Sequence, residues 1–151
     1  MMPRPRGGDW LDDEIKSLAT QGVDVVVSLL TQDEMLELEL TTEGELCANS
    51  GMEFLSFPIN DRDTPPLDSR LKDFIRSLRD RVSKGKSVVI HCRAGIGRSA
   101  IIAACLMVSP SNPVENVMPL LVRARGLSVP DTDEQLEWVH KFAEWHSKDT
   151  Q

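Results

Sequence analysis

Long hydrophobic runs, cysteine and positive charge are all scarce in this chain of 151 residues. No apolar stretch approaches the roughly 18 to 20 residues that a membrane-spanning helix needs, and no signal-peptide pattern is present, so we expect neither a membrane span nor secretion. Only three cysteines occur, and Cys47, Cys92 and Cys105 lack the spacing of a metal site. An odd, small number of thiols suits a reducing compartment, and the expected location is the cytoplasm.

Positive charge is outweighed, because 17 Lys and Arg residues are set against 24 Asp and Glu residues, for a formal net charge of −7. Nucleic acids and anionic membranes select basic surfaces, so we expect neither as a partner. The length and the 40% content of hydrophobic residues predict one domain spanning residues 1–151, without internal repeats. We expect this domain to be a monomer.

A nine-residue stretch from His91 to Ser99 indicates the chemistry. The apolar run before it predicts a strand, and the apolar run from Ala100 to Val108 predicts a buried helix. A loop between them, with its backbone N–H groups pointing inward at a helix N-terminus, can bind a phosphate-sized anion. The residues predicted to bind that phosphate are Arg93, Ala94, Gly95, Ile96, Gly97 and Arg98, among which the glycines permit a tight turn.

Two side chains project into this predicted loop. Cys92 supplies a thiolate, which helix N-termini and nearby cations stabilise as a nucleophile. Arg98 offers a planar fork that can bind two phosphate oxygens at once, which a lysine cannot do. We expect His91 to hydrogen-bond neighbouring backbone at the end of the strand and so fix the loop, and Ser99 to offer its hydroxyl to the sulfur.

The pattern His-Cys-x5-Arg-Ser resembles the signature of the cysteine-dependent protein tyrosine phosphatases. The order of predicted elements is similar to that of their compact dual-specificity branch over roughly residues 9–146. The resemblance implies that Cys92 forms a phosphocysteine, that Arg98 binds phosphate in the ground and transition states, and that Ser99 assists the departing thiolate. It implies a phosphomonoester hydrolase whose partner is a protein carrying phosphotyrosine and, in a dual-specificity enzyme, phosphoserine or phosphothreonine.

No metal or other cofactor is expected, because the sequence shows no cluster of His and Asp and the thiolate already supplies a nucleophile. The loop Phe57-Pro58-Ile59-Asn60-Asp61 is similar to the family's acid loop, in which an aspartate three residues after a proline protonates the leaving oxygen and later activates water. That match points to Asp61. Asp63 precedes a turn and Asp68 begins a helix, so each of those two has a structural explanation.

Gln135 resembles the position of a glutamine that lies near the hydrolytic water in some relatives. An exposed helical glutamine is the alternative interpretation of this residue.

Elsewhere the chain alternates strand and helix, which predicts an α/β fold with a mostly parallel central sheet, helices on both faces and the phosphate loop between a strand and a helix. Asp9 is interpreted as a helix cap and the charge run from Asp33 to Glu45 as a solvated face. Pro119 is expected to kink or break its helix. Residues 1–8 are expected to be irregular, with Arg4 and Arg6 solvated.

Three other functions remain open at this point. One is a phosphate-binding module without catalysis. The second is a sulfur-transfer or arsenate-reducing enzyme, which would depend on a second cysteine, and nothing in the sequence brings Cys47 into reach. The third is a phosphatase of phosphoinositides or other non-protein phosphates, whose signature loops carry more lysines than this one, in which Arg93 is basic and Ile96 is not.

Overall fold

The computed structural model describes residues 1–149. A parallel sheet lies at the centre, with strands β1 (Val25–Ser28), β2 (Glu53–Ser56) and β3 (Val88–His91) in the order β2-β1-β3. In the register, Val25 pairs with Glu53 on one side and with Val88 on the other. β1 is buried throughout, as a nearly continuous β-branched run predicts for a central parallel strand. The predicted α/β fold with a parallel sheet is confirmed.

Helices surround this sheet. Within residues 1–149 they are α1 (Leu11–Thr20), α2 (Gln32–Glu37), α3 (Glu43–Asn49), α4 (Ser69–Ser83), α5 (Arg98–Met107), α6 (Val114–Arg125) and α7 (Asp133–Asp149). None of the helices in this part of the chain combines the length and the apolar character that crossing a bilayer requires.

Two hydrophobic clusters pack on opposite faces of the sheet. Val25 and Val27 belong to the larger cluster, with residues of α4, α5, α6 and α7, whereas Val26 belongs to the smaller cluster, with residues of α1 and α3. This division follows from the alternation of side chains along a strand. α5 is almost wholly buried in the larger cluster, where Cys105 is a core residue as expected. Packing on all sides fixes the N-terminus of α5, where the phosphate loop ends.

The N-terminal segment is more ordered than expected. Residues 1–6, here called the N-terminal strap, run beside β3, where Met2 forms a single parallel bridge with His91. The Met2 N–H donates to Ile90 O at 2.9 Å, and the Arg4 N–H donates to Arg93 O at 3.2 Å. The strap is too short for a full strand, but its backbone is tied to the edge of the sheet and to the loop that follows it.

Two local predictions are wrong, and a third is wrong in part. A 3-10 turn at Gly8–Trp10 precedes α1, and no side chain among residues 1–149 caps that helix, so Asp9 is not its cap. The sequence predicts a helix that Thr31 caps and that runs to about Leu40, but α2 ends at Glu37, because Glu39 adopts a left-handed conformation with φ of 56°. Of the kink or break expected at Pro119, the break does not occur, since α6 continues through Pro119 while several of its other residues pack in the larger cluster.

The charge run between Asp33 and Glu45 is not wholly the solvated face that was predicted. Most of its acidic residues are exposed, but Glu34 is 7% and Glu43 is 0% exposed. Buried carboxylates require partners. Both partners lie in the stretch from His91 to Ser99.

Candidate active site

The phosphate loop connects β3 to α5 and is packed tightly against its surroundings. Gly95 has φ of 74°, a left-handed conformation that glycine adopts without strain. A Cβ atom at Gly95 would lie 2.4 Å from the carbonyl carbon of Met2, and one at Gly97 would lie 3.2 Å from the amide of Gln135. Gly95 is therefore required by a close backbone contact and by its conformation, whereas a side chain at Gly97 would need Asp131 and Gln135 to shift.

Cys92 and Ser99 lie together at the base of the loop. The Cys92 Sγ is 3.3 Å from the Ser99 Oγ, which is within hydrogen-bond distance for sulfur. Both side chains are buried. The serine hydroxyl can therefore donate to the sulfur whenever the thiol has lost its proton.

Arg98 is 1% exposed, and its guanidinium group is surrounded by acceptors. Its Nη1 donates to Glu34 Oε2 at 2.7 Å and its Nη2 donates to Glu34 Oε1 at 2.9 Å, a bidentate ion pair. Nη1 also donates to Ile59 O at 2.8 Å, and Nη2 donates to Asp61 Oδ1 at 3.1 Å. The arginine of the motif is thus held by α2 on one side and by the predicted acid loop on the other.

Glu34 is ionised by this environment. Burial by itself raises the pKa of Glu34, but the hydrogen bonds from Arg98 and from Thr31 outweigh burial and lower the pKa to about 2. Thr31 and Glu34 form a capping box at the start of α2, in which each side chain bonds the backbone N–H of the other residue. The cap of α2 therefore also fixes the carboxylate that binds Arg98.

The three aspartates near the acid loop have different contacts. Asp63 Oδ1 accepts from the Thr64 N–H at 2.8 Å, and Asp68 Oδ1 accepts from the Leu71 N–H at 3.0 Å, where Asp68 caps α4. Asp61 is half-exposed, and its carboxylate contacts Arg98. Both structural explanations offered for Asp63 and Asp68 agree with these contacts, and Asp61 is the carboxylate of the three that reaches the phosphate loop.

Gln135 is fully buried beside the loop, so the exposed alternative is wrong. Its Oε1 accepts from the backbone N–H groups of Asp131 and Thr132, at 3.1 and 3.2 Å. Its Nε2 donates to Asp63 O at 3.3 Å. Gln135 therefore links the start of α7 to the acid loop and packs against Gly97.

His91 is buried at the end of β3 and contacts a residue that the sequence did not indicate. One ring nitrogen, Nδ1, lies 3.3 Å from Cys92 O, in line with the expected contact to neighbouring backbone. The other, Nε2, lies 2.6 Å from Glu43 Oε1 in α3. This buried pair ties the strand end to α3, which packs in the smaller cluster on the opposite face of the sheet from α5.

Two further arginines surround the loop. The Arg93 side chain is partly exposed and extends toward α2, where Glu37 Oε2 lies 3.1 Å and Glu34 Oε1 lies 3.5 Å away. Arg125, at the end of α6, donates to Gly95 O and to Ala94 O, both at 3.0 Å. Arg125 therefore contacts the loop from outside, whereas the side chain of the loop residue Arg93 points away to the acidic residues of α2.

Sequence reasoning missed Glu34, Glu43 and Arg125. Glu34 had a signal, since Thr31 and a glutamate three residues later match a capping box. The other two contact loop residues that are distant in sequence, and no local pattern marks them.

Comparison with known proteins agrees with this geometry. Residues 1–111 match the family described as "Polymorphic toxin system, DSP-PTPase phosphatase". The chain belongs to this family. The matched span includes Asp61 and the whole phosphate loop through Ser99.

Curated relatives include cyclin-dependent kinase inhibitor 3 from two mammals. The rat protein (Rattus norvegicus) is 25% identical over 134 residues, which are 87% of this chain and 63% of the relative. The human protein (Homo sapiens) is 27% identical over 132 residues, 86% of this chain and 60% of the relative. The chain thus spans about three fifths of the length of these relatives.

Solved structures share the fold. Kinase associated phosphatase, with serine replacing its catalytic cysteine, superposes with a TM-score of 0.82 at 22% identity, over 94% of this chain and 83% of that one. Tk-PTP in its active form superposes with a TM-score of 0.74 at 30% identity, over 95% of this chain and 88% of that one. PTPMT1 in complex with PI(5)P superposes with a TM-score of 0.74 at 19% identity, over 92% of this chain and 88% of that one. The architecture is that of the cysteine-based phosphatases.

Proposed function

We propose that this chain hydrolyses phosphomonoesters of proteins, on phosphotyrosine and on phosphoserine or phosphothreonine, through a covalent phosphocysteine on Cys92. One observation carries the proposal. A single arginine of the phosphate loop, Arg98, contacts the half-exposed carboxylate of Asp61 at 3.1 Å, so the nucleophile's loop and a candidate general acid meet at one guanidinium group. Membership of the DSP-PTPase family supports the same chemistry.

Substrate binding is proposed to rearrange the contacts of Arg98. In the free protein its two terminal nitrogens are occupied by Glu34, Ile59 O and Asp61. Among these acceptors, Asp61 is the exposed one and can move into solvent, whereas Glu34 is held by its capping box. A phosphate dianion would replace Asp61 on Nη2, and the displaced carboxyl group would be free to reach the leaving oxygen of the substrate. Asp61 is then ready to act as an acid.

In the first chemical step the Cys92 thiolate attacks phosphorus, and the bond between phosphorus and the ester oxygen breaks. The departing oxygen takes its proton from Asp61, which leaves a phosphocysteine and a free hydroxyl product. The inward N–H groups of the loop and Arg98 stabilise the charge on the transferring group.

In the second step a water molecule attacks phosphorus and gives a proton to Asp61. The bond between sulfur and phosphorus breaks, and the thiolate and inorganic phosphate are released. The Ser99 hydroxyl, 3.3 Å from the sulfur, donates a hydrogen bond to the thiolate as it forms. Gln135 braces the acid loop through Asp63 O, and its placement near the hydrolytic water stays a prediction.

Protein substrates are favoured over phosphoinositides by the environment of Arg93. This basic residue of the loop is already paired with Glu37 and Glu34, so it offers little unpaired charge to additional phosphate groups on an inositol ring. The neighbour that holds PI(5)P is 19% identical and shares the fold alone.

The cysteines Cys47, Cys92 and Cys105 are all free thiols, which fits the proposed cytoplasmic location.

The experiment is a substrate panel with the purified chain, with and without a chelator. Phosphotyrosyl, phosphothreonyl and phosphoseryl peptides, di-C8 phosphoinositides and p-nitrophenyl phosphate are compared by kcat/KM for phosphate release. The proposal predicts turnover of phosphotyrosyl peptides that the chelator does not reduce. Faster hydrolysis of phosphoinositides than of every peptide would establish the lipid alternative. Phosphate binding without any turnover would establish a non-catalytic module.

A further inference from the structure

Arg125 contacts the outer side of the phosphate loop and has no part in the proposed chemical steps. Its Nε donates to Gly95 O and its Nη2 donates to Ala94 O, each at 3.0 Å. α6 ends directly after it, because Gly126 adopts a left-handed conformation with φ of 74°. A planar guanidinium group that binds two acceptors fixes their positions relative to each other.

The orientation of these carbonyl groups determines where the adjacent N–H groups point. In a planar trans peptide, the C=O of one residue and the N–H of the next point in opposite directions. When Ala94 O and Gly95 O are held from outside the loop, the N–H groups of Gly95 and Ile96 are turned toward its interior. Successive inward N–H groups are what makes such a loop an anion site.

The N-terminal strap acts in the same way on the preceding peptide. The backbone N–H of Arg4 donates to Arg93 O at 3.2 Å, which turns the N–H of Ala94 inward. The strap also packs directly on Gly95, where a Cβ atom would lie 2.4 Å from the carbonyl carbon of Met2. Three consecutive carbonyl groups, those of Arg93, Ala94 and Gly95, therefore have donors outside the loop.

We propose that Arg125 is a positioning residue, which orients the N–H groups of Gly95 and Ile96 toward the bound phosphate and so sets the affinity of the loop for phosphate. This inference rests on the proposed function of the same site. If the hydrogen bonds of Arg125 only held α6 against the loop, they would contribute to the stability of the fold without changing the affinity for phosphate. A purely long-range effect of charge would be shared by any nearby arginine.

Arg123 provides a matched control. It lies two residues earlier in the last turn of α6 and is exposed, and its replacement by methionine removes the same charge. Arg125→Met and Arg123→Met are compared with the unaltered chain by kcat and KM for p-nitrophenyl phosphate, by Ki for inorganic phosphate and by thermal unfolding. Arg125→Met should raise Ki and lower kcat/KM by roughly 10- to 100-fold, whereas Arg123→Met should change both by less than about two-fold.

Rescue is tested with Arg125→Lys, whose ammonium group keeps the charge but cannot bind both carbonyl groups in one plane. It should restore part of the phosphate affinity lost in Arg125→Met. If Arg125→Met does not fold, Arg125→Lys carries the test, with a Ki for phosphate that is raised above that of the unaltered chain.

Three results would overturn the inference. They are equal effects of the Arg125 and Arg123 substitutions, a lower melting temperature with unchanged Ki, and an Arg125→Lys protein with the Ki of the unaltered chain. If the unaltered chain hydrolyses nothing, the proposed function fails on its own. Calorimetric binding of inorganic phosphate to the same variants then still decides the role of Arg125.

Discussion

Glu34 of α2 and Arg98 of the phosphate loop form a bidentate ion pair, with N–O distances of 2.7 and 2.9 Å, although they are 64 residues apart in sequence. The pair orients the guanidinium group before any substrate binds. The Glu34 carboxylate is in turn fixed by the capping box with Thr31. Helix capping and substrate binding therefore depend on one side chain.

Replacement of Glu34 should disturb both stability and catalysis. Glu34→Gln removes the charge opposite a buried arginine, and a broken buried pair typically costs about 3 to 5 kcal/mol in the free energy of unfolding. Denaturant unfolding measures this loss, and kcat/KM should fall as Arg98 loses its orientation. Glu37→Gln is the control, because Glu37 is exposed and contacts Arg93 instead. Similar effects of the two substitutions would show that Glu34 does not position Arg98.

The same pair predicts a component of acid denaturation. The folded-state pKa of Glu34, about 2, lies below the ordinary glutamate value of 4.5, so the pair stabilises the fold at pH values above about 4.5. That stability is lost as the pH falls from about 4.5 toward 2, and it amounts to about 2 to 3 kcal/mol once solvent screening is allowed for. Glu34→Gln should lack this component, so its unfolding free energy should depend less steeply on pH in this window. Parallel pH profiles for the two proteins would contradict the assignment.

Asp61 and Asp63 are distinguished by the leaving group. Asp61→Asn removes the proposed acid, and general acid catalysis typically contributes about 10²- to 10⁴-fold, so kcat should fall by that factor for phosphotyrosyl peptides. The loss should be mild for an activated aryl phosphate, whose phenolate departs without a proton. Asp63→Asn is the control, because the Asp63 carboxylate bonds the Thr64 N–H. A leaving-group dependence that appears in Asp63→Asn alone would show that Asp63, and not Asp61, is the general acid.

Cys47 should be inert toward electrophiles. Burial, with a smaller contribution from the Glu43 charge, raises the pKa of Cys47 to about 12, and burial raises the pKa of Cys105 as well. Thiolates react much faster than thiols, so iodoacetamide at neutral pH should leave Cys47 and Cys105 unlabelled in the folded chain. Peptide mapping after mild peroxide should likewise show no Cys47–Cys92 disulfide, because Cys47 packs in the smaller cluster and Cys92 in the larger one. Rapid labelling of Cys47 would show that this thiol is not held in the core.

Local patterns predicted the fold well where the determining interactions are local. The nearly continuous β-branched run from Val23 to Leu29 predicted a buried parallel strand, and the phosphate loop was predicted from its glycines and from the apolar runs that flank it. The capping of α2 by Thr31 and of α4 by Asp68 follows from side chains that bond backbone N–H groups three residues on. Each of these features is complete within a few residues of sequence.

The predictions failed where the partner is distant in sequence. Glu34 and Glu43 look like part of a solvated face because acidic residues surround them, yet one pairs with Arg98 and the other with His91, 48 residues away. Residue type cannot indicate such pairs. Only the packing of α2 and α3 beside the end of β3 brings these carboxylates to the loop.

The central claim is the covalent phosphocysteine on Cys92, and a rapid denaturing quench at alkaline pH, where the bond between sulfur and phosphorus survives, tests it most directly. A ³²P-labelled phosphotyrosyl peptide is mixed with the chain and quenched within milliseconds, and the protein is then digested and mapped. We expect label on the peptide that contains Cys92, and none in Cys92→Ser, which should bind the substrate without turning it over because a serine hydroxyl does not ionise at neutral pH. Turnover by Cys92→Ser, or rapid hydrolysis by the unaltered chain with no label on Cys92 at any quench time, would contradict a covalent intermediate on this cysteine.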